Sequence, residues 1–206
     1  LNGQFLPLDE ARISPLDRGF LFADGVYEVV PVYSRRPFRL DEHLGRLQAS
    51  LDGIRLTNPH ALAEWRKLVS AMIGHSPWDD AQIYLQVTRG ADSKRDHAIP
   101  PAGVVPTVFM FASPLVPPDA DLRRQGVGAV TAVDNRWLRC DLKSLALLAN
   151  VLLRQKSAEQ GCAETILVRD GFVTEGSASN IFMVRNGILA TPPKSHLTLP
   201  GVTYDV

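Results

Sequence analysis

Two dipeptides, Asp170-Gly171 and Asn186-Gly187, constrain the fold of this sequence more than any other feature. Both residues of a two-residue hairpin loop take positive φ, and Asp-Gly and Asn-Gly are pairs that tolerate it. Residues 164–169 are therefore predicted to turn into 172–174, and residues 180–185 into 188–191, as two successive hairpins. Ahead of them, residues 128–134 read as a strand and 144–160 as a helix ended by Gly161, whose freedom at positive φ suits that position. Strands interleaved with a helix predict a mixed α/β region.

The N-terminal half shows both periods. Residues 4–7 and 12–13 read as short strands, and 24–33 as a longer one in which Pro31, lacking an N–H, argues for an edge or a bulge. Leu40, Leu44, Leu47, Leu51 and Ile54 recur in steps of three and four, which marks one buried helical stripe. Asn58-Pro59 offers an N-cap and a first-turn proline to a second helix carrying Leu62, Trp65, Leu68, Val69, Met72 and Ile73. Ile83, Leu85 and Val87 alternate with Tyr84, Gln86 and Thr88 as a half-buried strand, and a second strand lies within 104–112. Residues 113–121 contain three prolines and predict a break between regular elements. The expected organisation is a smaller N-terminal domain (1–114), a linker (115–121) and a second domain (122–206).

Several function classes are disfavoured by composition. Lys+Arg and Asp+Glu balance at 22 each with no long basic run, which argues against an electrostatic nucleic-acid binder. The apolar stretch near 145–153 is too short for a bilayer and is broken by Asn150. Residues 1–10 have neither the basic start nor the apolar core of a secretory leader. Cys140 and Cys162 are too few and too isolated for a disulfide framework or a zinc site, so a reduced, cytoplasmic setting is expected. The five histidines show no metal-ligand spacing, and neither a Gly-rich phosphate loop nor a G-x-S-x-G elbow is present.

Only five lysines occur, and Lys143 stands among leucines at 142, 145, 147 and 148. A lysine nucleophile needs partial desolvation to free its amine. Local sequence alone favours the plainer alternative, a solvated residue in the first turn of a helix. Glu175 enters a run of small hydroxyl residues through Asn180, suited either to a heterocyclic N–H and an anion or to an ordinary polar loop. Gly201, Val202 and Thr203 resemble a helix start, a weak phosphate signal. Arg46 flanks the first apolar stripe as a phosphate donor or a solvated side chain. Arg95 and His97 lie in a basic loop able to hold a carboxylate, and Tyr27 interrupts an apolar strand.

Three stretches carry a family resemblance: Asp17-Arg18-Gly19-Phe20-Leu21-Phe22-Ala23-Asp24-Gly25-Val26-Tyr27-Glu28, Arg136-Trp137-Leu138-Arg139-Cys140-Asp141-Leu142-Lys143-Ser144-Leu145, and Thr174-Glu175-Gly176-Ser177-Ala178-Ser179-Asn180. With them the chain resembles the fold-type IV pyridoxal-phosphate enzymes, most of all the D-amino acid aminotransferase branch. The resemblance implies a two-domain α/β fold and pyridoxal 5'-phosphate as cofactor. It implies Lys143 as the Schiff-base lysine, Glu175 facing the pyridine nitrogen, Arg46, Val202 and Thr203 on the phosphate, and Leu199 under the ring. Ser177, Ser179 and Asn180 would flank the cofactor. Tyr27, Arg95 and His97 would trap the substrate carboxylate, with the Arg and His supplied by the partner subunit of a homodimer.

The implied reaction is ping-pong transamination between a D-amino acid such as D-alanine and a 2-oxo acid such as 2-oxoglutarate. Related alternatives are 4-amino-4-deoxychorismate lyase and aminotransferases for branched-chain amino acids or (R)-amines; a cofactor-binding protein without turnover is the alternative from another class. Ala178 replaces a hydroxyl residue common in the family. Because relatives continue beyond the position of Val206, the second domain is expected to be incomplete; the start at Leu1 rather than Met separately suggests a sequence that is not the whole gene product.

Overall fold

The computed structural model describes residues 1–204 and Val206. The chain forms two compact units: Leu1–Val116 with Lys143–Ala146, and Pro117–Leu142 with Leu147–Val206.

In the first unit, helix α1 (Arg18–Phe22) precedes strands β1 (Gly25–Tyr33) and β2 (Arg36–Pro37). Helices α2 (Leu40–Gly53) and α3 (Leu62–His75) follow, then strands β3 (Ala81–Thr88) and β4 (Thr107–Pro114). The strands make one antiparallel sheet in the order β2-β1-β3-β4. β1 and β3 pair without a slip from Gly25↔Thr88 to Val32↔Ala81. The two-residue period puts Val26, Val30 and Val32 on one face with Ile83, Leu85 and Val87. Leu44, Leu47 and Leu51 of α2 and Trp65, Val69 and Ile73 of α3 complete that core. Each fully buried side chain of this size contributes about 1.5–3 kcal/mol.

β1 is neither an edge strand nor bulged at Pro31, which corrects the sequence expectation. The Pro31 carbonyl accepts from the Phe38 N–H at 2.8 Å. The donor that proline lacks therefore faces the β2 side, where the ladder holds only Val32↔Pro37 and Tyr33↔Arg36. Further along that side, a bridge between Val26 and Ser144 takes over.

Other local expectations need correction. Residues 4–7 and 12–13 are not strands; the Gln4 N–H closes a turn onto the Leu1 carbonyl at 3.0 Å and Leu8–Glu10 is a single 3-10 turn. α3 begins after Ala61, because the Asn58 carboxamide oxygen accepts from His60 N–H and from the Trp65 indole instead of capping. The segment 113–121 is partly ordered: β4 runs through Pro114, and helix α4 (Ala120–Gln125) starts on Asp119, whose side chain accepts from the Asp121 N–H.

In the second unit, α4 is followed by β5 (Ala129–Val133), α5 (Leu148–Glu159) and β6 (Glu164–Arg169). β7 (Phe172–Gly176), β8 (Met183–Arg185) and β9 (Ile188–Ala190) complete it. β5 lies parallel to β6 with α5 in the connection between them, and β6 and β7 form an antiparallel hairpin. β8 and β9 form another. Both loops have positive φ at both positions: 51° and 83° at Asp170 and Gly171, 52° and 75° at Asn186 and Gly187. α5 begins at Leu148 and not at 144, because Ser144 and Leu145 are bonded to β1. Gly201–Tyr204 make a turn, closed by the Tyr204 N–H on the Gly201 carbonyl at 3.0 Å, where a helix start was expected. No helix among the described residues is long and apolar enough to cross a membrane.

Candidate active site

Lys143 reaches the first unit as an extra piece of strand. Its carbonyl accepts from the Tyr27 N–H at 2.9 Å, and the Leu145 N–H donates to Gly25 at 3.0 Å. Its own N–H donates to the buried Ser50 hydroxyl on α2 at 3.1 Å. The side chain is half-buried, with Nζ 4.2 Å from the centre of the Tyr27 ring. Tyr27 in turn stacks on Tyr84 at 5.7 Å. Burial, reinforced by the neighbouring Glu28 carboxylate and opposed by Arg46, pushes the Tyr27 phenol above its ordinary pKa. The family-implied lysine and tyrosine are thus together.

Glu28 was missed by sequence reasoning, although its phase should have flagged it: it occupies a core-facing position between Val26 and Val30 and is fully buried. A carboxylate there needs partners. His43 and Arg46, three residues apart on α2, provide them: His43 Nδ1 lies 2.8 Å from Oε2, and Arg46 donates through Nε and Nη2 at 2.7 and 2.8 Å. Burial works to raise the Glu28 carboxyl, but the bonds from Arg46 and His43 outweigh it and hold the group below the usual carboxylate range. A carboxylate only accepts, so Nδ1 is the donor of this pair; the buried Nε2 of His43 meets no hydrogen-bond partner among the described residues. Arg46 is therefore not the solvated flank that its position on the stripe allowed.

Arg95 and His97 are exposed and gather around Phe22: the Arg95 guanidinium is 4.9 Å and the His97 ring 5.0 Å from the phenyl centre.

In the second unit, Glu175, next to last in β7, is almost fully buried. One oxygen accepts from Arg136 Nη1; the other accepts from the Leu199 N–H at 2.8 Å and from Asn180 Nδ2 at 3.2 Å. Burial raises the Glu175 carboxyl against the opposing pull of Arg136. Arg136 and Asp134 were also missed. Asp134, just past β5, accepts from Arg136 Nε and Nη2 at 2.9 Å each and from the Thr174 hydroxyl at 2.9 Å. It also pairs with Arg169 at 3.1 Å. Burial opposes its ionisation, but Arg136 and Thr174 bring its pKa down to about 2. For Arg136 burial works to lower the pKa, and the bonds it donates to Asp134 and Glu175 raise it instead. The run from Arg136 to Leu145 contains that arginine, but nothing local ties it to a glutamate on β7.

The hydroxyls of Ser177 and Ser179 both go to one carboxylate, Glu164, with Ser179 at 2.7 Å; the Ser177 N–H also donates to it at 2.9 Å. Asn180 bonds the Leu199 carbonyl at 2.9 Å, which ties the loop after β7 to the segment holding Leu199. Val202 and Thr203 lie in the following turn. The second unit thus brings Glu175, Asn180 and Leu199 into one bonded group.

Residues 25–206 match the family model for amino-transferase class IV. The chain belongs to this family. Among curated proteins, this class IV chain is 40% identical to a D-alanine aminotransferase of Bacillus licheniformis, over 98% of its own length and 70% of the relative's. It is 39% identical to one from Listeria monocytogenes, over 100% of its own length and 71% of that protein's. Among solved structures it superposes on the Escherichia coli branched-chain amino acid aminotransferase with a TM-score of 0.87, at 25% identity over 99% of this chain and 70% of that one. A Mycobacterium tuberculosis hypothetical aminotransferase in its PLP-bound form gives 0.81, at 25% identity over 97% and 72%. The mixed α/β fold is that of the fold-type IV aminotransferases.

Proposed function

We propose that this chain transfers amino groups between a D-amino acid, such as D-alanine, and a 2-oxo acid, such as 2-oxoglutarate, by a ping-pong mechanism using pyridoxal 5'-phosphate. The observation that carries the reading is the fixed Lys143: its backbone is bonded on both sides and its amine lies over Tyr27. The identity of 40% to a D-alanine aminotransferase supports the D-amino acid as donor.

The donor set fits the cofactor chemically. The first unit offers an amine in Lys143 and a guanidinium oriented by Glu28 in Arg46; the second offers a buried carboxylate in Glu175 and a backbone N–H and hydroxyl in Val202 and Thr203. When bound, the cofactor supplies an electron sink for the carbanion left at the substrate Cα. Lys143 would hold it covalently; its amine, once displaced by the substrate's, would take the Cα proton as general base and, as general acid, deliver it to the cofactor rather than back to Cα. Glu175 would keep the ring nitrogen protonated, and its bonds to Arg136, Leu199 and Asn180 hold the carboxylate in one orientation. Arg46, Val202 and Thr203 would bind the phosphate. Leu199 would pack against the cofactor, and Ser177, Ser179 and Asn180 would flank it. Tyr27, Arg95 and His97 orient the α-carboxylate, which selects the enantiomer presented to Lys143. In this reading the protein is a cytoplasmic homodimer, with Arg95 and His97 each serving the other subunit's site.

The test is pyruvate formation from D-alanine and 2-oxoglutarate, run beside L-leucine and a carboxylate-free (R)-amine as donors. Borohydride reduction followed by peptide mass mapping should find the cofactor on Lys143. Turnover of L-leucine in preference to D-alanine would move the assignment to the branched-chain reaction, while absence of cofactor on Lys143 would defeat the mechanism.

A further inference from the structure

Arg18, at the start of α1, has only 4% of its side chain exposed. Its Nε donates to Asp24 Oδ2 at 2.8 Å, and Arg89 holds the same carboxylate through Nε and Nη2 at 2.8 and 2.9 Å. With its inner side fixed in this way, Arg18 extends Nη1 to the carbonyl of Asp96 at 2.6 Å and Nη2 toward that of His97 at 3.5 Å. The Arg18 backbone N–H donates to the Gly90 carbonyl at 2.8 Å, and Asp17 bridges to Ala91. The loop is thus held at its root and again at Asp96. One turn along α1, the Phe22 ring meets the guanidiniums of Arg18 and Arg95, each at 4.9 Å, and the His97 ring at 5.0 Å.

We propose that Arg18 and Phe22 are positioning residues: Arg18 pins the backbone between Arg95 and His97, and Phe22 aligns both side chains, so that the loop meets a substrate carboxylate already ordered. The inference rests on the reading above that Arg95 and His97 hold that carboxylate. Two exposed side chains on a free loop would lose conformational freedom with every substrate bound, and prior ordering removes that penalty from binding. The effect belongs to binding and so separates KM from kcat. It is confined to substrates that carry the carboxylate.

The test compares R18Q, F22L and R95A in the purified holoenzyme, with D-alanine and 2-oxoglutarate as substrates and amide exchange across residues 91–98 followed in parallel. R18Q and F22L should each raise KM for D-alanine about tenfold while kcat stays within about twofold, with faster exchange in the loop. R95A should raise KM at least as much. If R95A raises KM but R18Q and F22L do not, or if they lower kcat and leave KM alone, the positioning role is overturned and the carboxylate assignment stands. If R95A leaves KM unchanged, that assignment fails and the inference falls with it. Should R18Q fail to fold, F22L decides alone, because the leucine keeps the apolar bulk and removes only the ring face.

Discussion

The Tyr27 N–H donates to the Lys143 carbonyl across 2.9 Å, while the Lys143 amine lies 4.2 Å from the centre of the same tyrosine's ring. One strand residue therefore fixes the lysine at both ends. A flexible four-carbon side chain becomes a defined reactive group only when its backbone has a fixed register, and β1 supplies that register.

Ser50→Ala tests the second anchor. The Lys143 N–H loses the acceptor it has at 3.1 Å, in a place where Ser50 is only 1% exposed. An unsatisfied buried donor costs about 1–3 kcal/mol. A thermal melt should show a transition lowered by several degrees, with kcat reduced more than KM. An unchanged melt would mean that the backbone shifts freely to another partner.

Gly25→Ala tests the close approach of the lysine segment to β1. A Cβ at this position would lie 2.6 Å from the Val87 carbonyl oxygen and 2.8 Å from Leu145 Cδ1. Leu145 can turn away, but the strand carbonyl cannot. Overpacking of this kind costs about 1–3 kcal/mol, so the urea midpoint should fall and the initial rate should drop with it.

Asp134 gives the second unit a specific acid sensitivity. Its folded pKa of about 2 lies below the ordinary 3.8. Its stabilising contribution is therefore complete above the unfolded value and is lost as pH falls through the folded one. The difference corresponds to roughly 2 kcal/mol. Urea unfolding measured from pH 5 to pH 2 should show a shallower loss of stability in Asp134→Asn than in the parent, alongside a lower stability at neutral pH.

Glu175→Gln keeps the side-chain shape but removes the charge and one of the two acceptors, so its single amide oxygen serves either Arg136 or the Leu199 N–H and Asn180, not both. In the proposed reaction it should lower kcat on the order of a hundredfold or more, with cofactor content measured by absorbance remaining near the parent's. A kcat within about threefold of the parent would remove Glu175 from its assigned role.

What the sequence revealed, and what it hid, divides by distance along the chain. The turns at Asp170-Gly171 and Asn186-Gly187 were legible because φ preference is local, and so was the α2 stripe of Leu44, Leu47 and Leu51. Asn58 misled because its side chain serves Trp65 instead of a helix start. The beginning of α5 was misplaced because Ser144 and Leu145 pair with β1, far away in sequence. The same limit hid the Glu28–His43–Arg46 group and the link from Arg136 to Glu175. Residue type and spacing reveal such candidates, but only the fold supplies their partners. Lys143 is the clearest case: its neighbours suggested a first helical turn, whereas its contacts are those of a strand.

The bridge between Val26 and Ser144 also sets an order of events during synthesis. β1 leaves the ribosome early, and the residues that occupy its side near Val26 follow only after the rest of the first unit and part of the second have been made. Until then that backbone edge lacks its partner, the kind of surface that invites mispairing. Closing it requires a contact between distant parts of the chain, which slows folding. The lysine is thus among the last pieces of the first unit to be delivered, and a nascent chain halted before it would expose the strand that sets its backbone register.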